Sequence, residues 1–290
     1  MANNTKIKIK LQGHEKFSLR EGWLNKGLIM VNKNATVFQG KNGPDIFGIG
    51  NNMVKSLRYW LKAFGLTEES QSKGAILTEL GKLVLKYDPY FEDIFTIWIL
   101  HSQIAKNCDE ATSWFIFFNR VDVEDMDKDQ MASILQREIA QYAVGVTFSG
   151  KSVKNDLDVL LSMYSKSKEM VDPEDKNVSP FAQLNLVKNI EGRYTKNHPN
   201  EKDINEWVVL YELLELLKDR EFISIEDAIE GENGLSKIYQ LTLVTANGYL
   251  DRIEALEYLR ITRTAGLDVI YKVSDLSPLD IVEKYYKEIR

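Results

Sequence analysis

A mainly helical α+β fold is the expectation for this 290-residue chain. Three observations carry it. Apolar residues recur at helical spacing through long stretches, of which 51–64, 91–107 and 204–219 are the clearest. Helix start and stop signals bracket some of them: Asn51 and Asn52 before one, Gly65 after it, Thr78 before the next. Strand-like patterns are short and lie near the two ends. On this pattern the chain divides into a basic, winged-helix-like region at 1–86, a helical core region at 87–165 and an acidic helical region at 166–290.

Residues 5–11 alternate polar and apolar, the period of a half-buried strand. Ser18 is placed to cap a helix over 19–31, with Leu19, Trp23, Leu24, Leu28 and Met30 as its apolar side. Residues 40–50 hold four of the 17 glycines and a proline, so a turn-rich connection is expected. The helix 51–64 follows. Then come a polar loop at 67–74, a short apolar step and a helical turn capped by Thr78. A helix, a two-stranded wing and a further helix in that order describe a winged helix-turn-helix, with Lys73 at the tip of the wing.

Helices are expected at 91–107, 111–119, 127–143 and 152–164. Polarity rises and two prolines appear over 165–180, which predicts a linker. A short strand at 181–188 and a polar stretch at 189–203 precede an amphipathic helix at 204–219. Short helices at 224–230, 235–243 and 247–259 lead to a β-hairpin around Ala265-Gly266, and a helix closes at 279–289. This end repeats the winged-helix order. Its third helix turns Asp251, Glu254 and Glu257 outward, a face that repels phosphate and suits a protein partner. Arg260, Arg263 and Lys272 add a minor basic patch.

The formal net charge of −6 averages two opposites. Residues 1–86 carry 14 Lys+Arg against 6 Asp+Glu, net +8, and the remainder carries 23 against 37, net −14. A basic segment set against an acidic one is a recognised sign of nucleic-acid contact, although a solvated basic face gives the same count. The helix 51–64 sharpens the choice. At about 100° per residue, Met53, Leu57, Trp60, Leu61 and Phe64 share one side. Asn51, Asn52, Lys55, Arg58, Tyr59 and Lys62 share the other, with no acid among them. Amides, a fork-shaped guanidinium and long cations are what base edges and phosphates require. Lys26, Lys33, Lys41 and Lys73 would add phosphate contacts. The alternatives are a plain helical subdomain and a protein-interaction module.

Other chemistry finds little support. One cysteine, Cys108, excludes an internal disulfide and a four-cysteine zinc site. Gly48-x-Gly50 lacks the third glycine and the βαβ setting of a dinucleotide fingerprint. His14-Glu15 has no second histidine to complete a zinc-protease motif. His101 and the set Trp98, Trp114, Phe115, Phe117 and Phe118 are expected in the core. Asp88, Glu92 and Asp93 are expected to complement a helix N-terminus and not to bind metal. With no P-loop, nucleophile motif or nuclease carboxylate set, a non-enzyme without metal or cofactor is expected. No apolar run reaches 18 residues and the polar, basic start is unlike a secretory signal, which predicts a cytoplasmic protein.

Several segments together resemble a bacterial family known as domain of unknown function 4007. They are His14-Glu15-x-Phe17, Arg20-x-Gly22-Trp23-Leu24-x-Lys26-Gly27 and Gly48-x-Gly50-x-Asn52-Met53-Val54-x-Ser56-Leu57-Arg58-Tyr59-Trp60-Leu61. They continue with Leu77-Thr78-x-Leu80-Gly81, Asp88-Pro89-Tyr90-x-Glu92-Asp93 and His101. The Ala111-Thr112-x-Trp114 segment running on to Phe118-Asn119, Ser179-Pro180 and Arg263-Thr264-Ala265-Gly266-Leu267-Asp268 complete the set. The resemblance implies a component of anti-phage defence islands. It implies genes nearby for proteins like phosphoadenosine-phosphosulfate reductases, including those of DNA phosphorothioation. It carries no catalytic residue. The expectation is therefore an accessory protein that binds double-stranded DNA through 51–64 and docks defence-system proteins, such as a sulfur-transferring enzyme or an ATPase, on its acidic part. An assembly adaptor that never touches DNA and a winged-helix dimer that regulates its own operon are the alternatives.

Overall fold

The computed structural model describes residues 7–165, 179–264 and 266–290. Helices dominate, joined by small antiparallel hairpins, so the fold is mainly helical α+β. Buried side chains from Leu19 to Tyr286 form one connected cluster.

The N-terminal elements are α1 (Trp23–Lys33), α2 (Gly43–Phe47), α3 (Asn51–Ala63), β1 (Thr67–Ser70), β2 (Gly74–Leu77) and α4 (Glu79–Tyr87). Three findings correct the sequence reading here. Residues 7–11 form no strand; Thr5 and Lys6 lie outside the described residues. Among the described residues no strand pairs with them. The backbone N–H groups of Lys10 and Gln12 instead donate to Thr112 Oγ1 and Asp156 Oδ1, both at 2.8 Å. The first helix starts at Trp23 and not near Ser18, because Gly22 takes a left-handed φ of 77° as its N-cap. Inside the turn-rich connection, Pro44 starts the short α2. The two strands expected after the helix are present, the first of them within the polar stretch: β1 pairs β2 from Thr67↔Leu77 to Ser70↔Gly74, with Lys73 in its turn. Thr78 caps α4 by accepting from the Gly81 N–H at 3.0 Å.

The central helices are α5 (Ile94–Lys106), α6 (Thr112–Arg120), α7 (Lys128–Tyr142) and α8 (Gly150–Tyr164). Nearly every residue of α5 and α6 is buried, including Trp98, Trp114, Phe115, Phe117 and Phe118. His101 is held neutral in that core. Its Nε2–H donates to the Ile238 carbonyl at 2.7 Å and its Nδ1 accepts from the Tyr164 hydroxyl at 2.8 Å. Burial pushes its pKa down to about 3. Most of the linker expected at 165–180, residues 166–178, lies outside the described residues.

After a 3₁₀ turn (Pro180–Leu184), the chain forms the hairpin β3 (Val187–Ile190) and β4 (Arg193–Lys196). The strand expected at 181–188 is mostly this 3₁₀ turn, and the polar stretch expected at 189–203 holds most of the hairpin. The helix α9 (Glu206–Leu216) is not amphipathic: Trp207 through Leu214 are all buried. Glu212 is tolerated there because Lys106 Nζ, Ser102 Oγ and Tyr239 Oη donate to it at 2.8, 2.5 and 2.9 Å. β5 (Phe222–Ser224), α10 (Ile225–Glu230), α11 (Leu235–Ile238), α12 (Leu243–Glu254), β6 (Leu259–Thr264) and β7 (Leu267–Lys272) follow. The last two form the expected hairpin; Ala265 lies outside the described residues. β5 adds to it, giving a sheet of order β5-β7-β6. The chain closes with α13 (Pro278–Lys284) and a π turn.

Candidate nucleic-acid interface

The helix α3 begins where Gly50 serves as N-cap with no side-chain hydrogen bond. Asn51 and Asn52 are its exposed first residues, beside N–H groups that no helical carbonyl can reach. Lys55, one turn on, is exposed and its Nζ lies 3.3 Å from Asn52 Oδ1. These three match the sequence reading of the polar face.

Arg58 and Lys62 do not stand free. Arg58 Nε donates to Glu69 Oε1 on β1 at 2.7 Å, and Lys62 Nζ donates to Glu110 Oε1 at 2.6 Å. That hydrogen bond raises the Arg58 pKa and holds the Glu69 carboxyl below its usual range. The all-basic face of the isolated helix thus becomes a mixed one, because acids arrive from other elements.

Tyr59 departs from its expected place. It is buried, with its ring 5.0 Å from the Trp60 ring and 6.0 Å from that of His14, centroid to centroid. Gly13 makes room for it: a Cβ there would fall 2.3 Å from the Tyr59 ring. Desolvation raises the Tyr59 pKa well above the ordinary value. The apolar side of α3 is simply wider than a periodicity count allows, since the N-terminal segment covers a second flank.

The remaining lysines lie on or next to α1, α2 and β1, which pack against α3. Lys26 is exposed, and its ammonium donates to the Phe47 carbonyl at the end of α2. Lys33 ends α1, Lys41 lies in the following loop and Lys73 lies in the hairpin turn; all three are exposed. That loop ties the group together. Its Ala35 carbonyl accepts from the Ala75 N–H at 2.8 Å. At the start of α2, Gly43 packs on Val54, the neighbour of Lys55. Gly74 permits the first contact: its φ is 94°, and a Cβ would fall 2.4 Å from the Ala35 oxygen. Lys26, Lys33, Lys41, Lys55 and Lys73 form no ion pair among the described residues.

Sequence reading passed over a buried polar cluster beneath α3. His14 Nε2–H donates to Asp156 Oδ1 at 2.9 Å, because its Nδ1 accepts the Lys16 N–H. Ser113 Oγ donates to Asp156 Oδ2 at 2.6 Å. All three residues are buried, and Ser113 meets Asp156, so this trio lacks a nucleophile–base hydrogen bond. It fastens the N-terminal segment to α6 and α8. Its partners are more than 40 residues apart, so no local motif could reveal it.

The acids expected at a helix N-terminus are there. Asp93 caps α5, and Asp88 accepts the N–H groups of Glu92 and Asp93 and the Thr96 hydroxyl. Among the described residues, no group of three or more His, Cys, Asp or Glu could hold a metal ion, and no helix is long and apolar enough to cross a membrane.

The chain is thus a mainly helical α+β protein with a basic collar around one helix. It belongs to the family described as "Protein of unknown function (DUF4007)", whose model matches residues 11–286. Among solved structures, a magnesium ion-bound SspB and a second SspB crystal structure share the fold. Each superposes with a TM-score of 0.83, at 20% and 21% identity respectively. Each match covers 94% of this chain and 85% of the other. No curated protein matches.

Proposed function

We propose that this chain is a DNA-binding accessory protein of a bacterial anti-phage defence or DNA sulfur-modification system. Duplex DNA meets the outer edge of α3 and the lysines around it. The basic collar carries this reading: Lys26, Lys33, Lys41, Lys55 and Lys73 are exposed, lie on α3 or on the elements and turns next to it, and are unpaired among the described residues. In this reading α3 with the β1–β2 hairpin and α4 acts as a winged helix, and Lys73 marks the wing. Arg58 and Lys62 join by exchanging Glu69 and Glu110 for phosphate. Exposed ion pairs are worth about 0–1 kcal/mol, so the exchange costs little. Tyr59 takes no part. The defence setting rests on the family resemblance, and no catalytic residue, metal or cofactor is assigned.

Salt dependence tests it. Each neutralised phosphate adds about −0.9 to the slope of log affinity against log salt. With roughly 4–6 contacts, duplex binding should weaken steeply between low and physiological salt. Lys55→Ala and Lys73→Ala should each flatten that slope. Salt-independent binding, or slopes unchanged in both variants, would sink the proposal.

A second reading, an assembly adaptor, draws on α12. Its first turn exposes Leu243 at 56% and Val244 at 82%, with Asp251 and Glu254 further along the helix. Apolar residues beside acids suit a protein partner. A partner lost on Val244→Glu, together with no duplex binding at low salt, would favour it.

A further inference from the structure

A cavity of about 680 Å³ opens between the first turn of α1, the turn at 88–93 and the 3₁₀ turn Pro180–Leu184. None of the collar lysines lines it, although Asn25 in its wall directly precedes Lys26. Ligand pockets of small molecules fall in this size range. Its lining is mixed. Leu24 and Pro180 supply apolar wall, and Tyr90 presents a ring that is 70% exposed. A tyrosine left this open beside a cavity is a platform for another flat, apolar face.

The polar groups are equally specific. The Arg20 guanidinium lies 5.7 Å from the Trp23 ring centroid and forms no ion pair among the described residues. Stacking holds the cation without neutralising it. Asn25 Nδ2 donates to the Pro89 carbonyl at 2.7 Å, which fixes the amide and leaves Oδ1 as an acceptor. The first turn of α1 has neither a side-chain cap nor an acid; the Trp23 N–H is taken by the Arg20 carbonyl at 3.2 Å, which leaves the Leu24 and Asn25 N–H groups as the positive end near Arg20. Glu21 and Glu92 also line the cavity.

We propose that this cavity binds a single nucleotide. The base stacks on Tyr90, and its exocyclic amino group donates to Glu92 or to Asn25 Oδ1. The phosphate faces Arg20 and the first turn of α1. Two carboxylates in the wall set an upper limit on ligand charge. The single charge of a phosphodiester is balanced by Arg20 and the helix end, whereas a free monophosphate, close to a dianion at neutral pH, and still more a triphosphate would crowd further negative charge against Glu21 and Glu92. The shared chemistry is a nucleoside monophosphate unit, either free or as an unpaired nucleotide of a strand. The site does not depend on α3 contacting duplex DNA, because Arg20 and Tyr90 belong to neither α3 nor the collar.

Titration of the full chain with dAMP, deoxyadenosine and a short single-stranded oligonucleotide tests it, with Tyr90→Ala and Arg20→Gln as variants. Unchanged thermal midpoints confirm that both variants fold; Tyr90, being exposed, is the safer of the two. Wild type should bind dAMP or the oligonucleotide, and Tyr90→Ala should weaken that binding about tenfold. Arg20→Gln should weaken dAMP and leave deoxyadenosine unchanged. Binding of dAMP identifies a free-nucleotide site, and binding of the oligonucleotide alone identifies a strand site. No binding of either phosphate-bearing probe, or binding that Tyr90→Ala leaves intact, overturns the assignment. Duplex affinity through α3 should be equal in wild type and Tyr90→Ala, which separates failure here from failure of the duplex reading.

Discussion

Two helix–hairpin units stand towards opposite ends of the chain: α3 with β1–β2, and α12 with β6–β7. Inside they are alike. Each helix is anchored by a fully buried large aromatic, Trp60 in one and Tyr249 in the other. Each hairpin also answers the helix with opposite charge. Glu69 of β1 accepts from Arg58, and Arg263 of β6 donates to Asp251 at 2.6 Å. Outside they diverge. The first unit is left with unpaired lysines, and the second with exposed Leu243 and Val244. The lesson is that residues pairing helix to hairpin hold the unit together, and what remains unpaired defines its partner.

The largest expected effect tests the shared interior. Trp60→Ala should cost about 3–5 kcal/mol in urea unfolding, and Tyr249→Ala a similar amount. A small loss in one unit only would break the parallel between them.

Acid probes the core outside both units, where His101 joins α5 to the Ile238 carbonyl on α11. Its pKa is depressed from 6.5 to about 3 in the folded chain. The unfolded chain therefore takes up a proton first. Stability present above pH 6.5 should fall by a few kcal/mol as pH drops towards about 3. His101→Gln should remove that part of the pH dependence, measured as the unfolding midpoint at a series of pH values.

Smaller effects concern the outer faces. Replacing Lys33, Lys41 and Lys73 together with alanine should flatten the duplex salt slope by about 0.9 for each lysine removed. Asp251→Asn on α12 should leave the slope unchanged. The smallest effect should come from Glu69→Gln, which frees Arg58. It should raise duplex affinity a few-fold and change stability by less than about 1 kcal/mol. Weaker duplex binding in that variant would show that the Arg58–Glu69 pair positions the interface.

Local patterns made the helices legible. Thr78, Asp93 and Gly65 marked ends that the structure shows at or near those residues. The closing hairpin was legible because a turn separates two alternating runs. The hairpin β3–β4 was missed because its second arm, Arg193–Lys196, reads as polar; only Tyr194 turns fully into the core. The helix α9 looked amphipathic because Glu212 and Glu215 interrupt its apolar run. Lys106 and Tyr239 make Glu212 a core residue, and neither is near it in sequence.

By itself, the sequence determined the mainly helical class, the helix-then-hairpin order near both ends and the concentration of positive charge before residue 87. Each is a property of neighbouring residues or of a sum over them. Tertiary structure alone decided which charges stay free, that Tyr59 is buried, and that three distant segments enclose a cavity beside Tyr90. Burial and ion pairing depend on what lies across a gap in space. Glu110 meets Lys62 from 48 residues away, and no periodicity along α3 encodes that meeting.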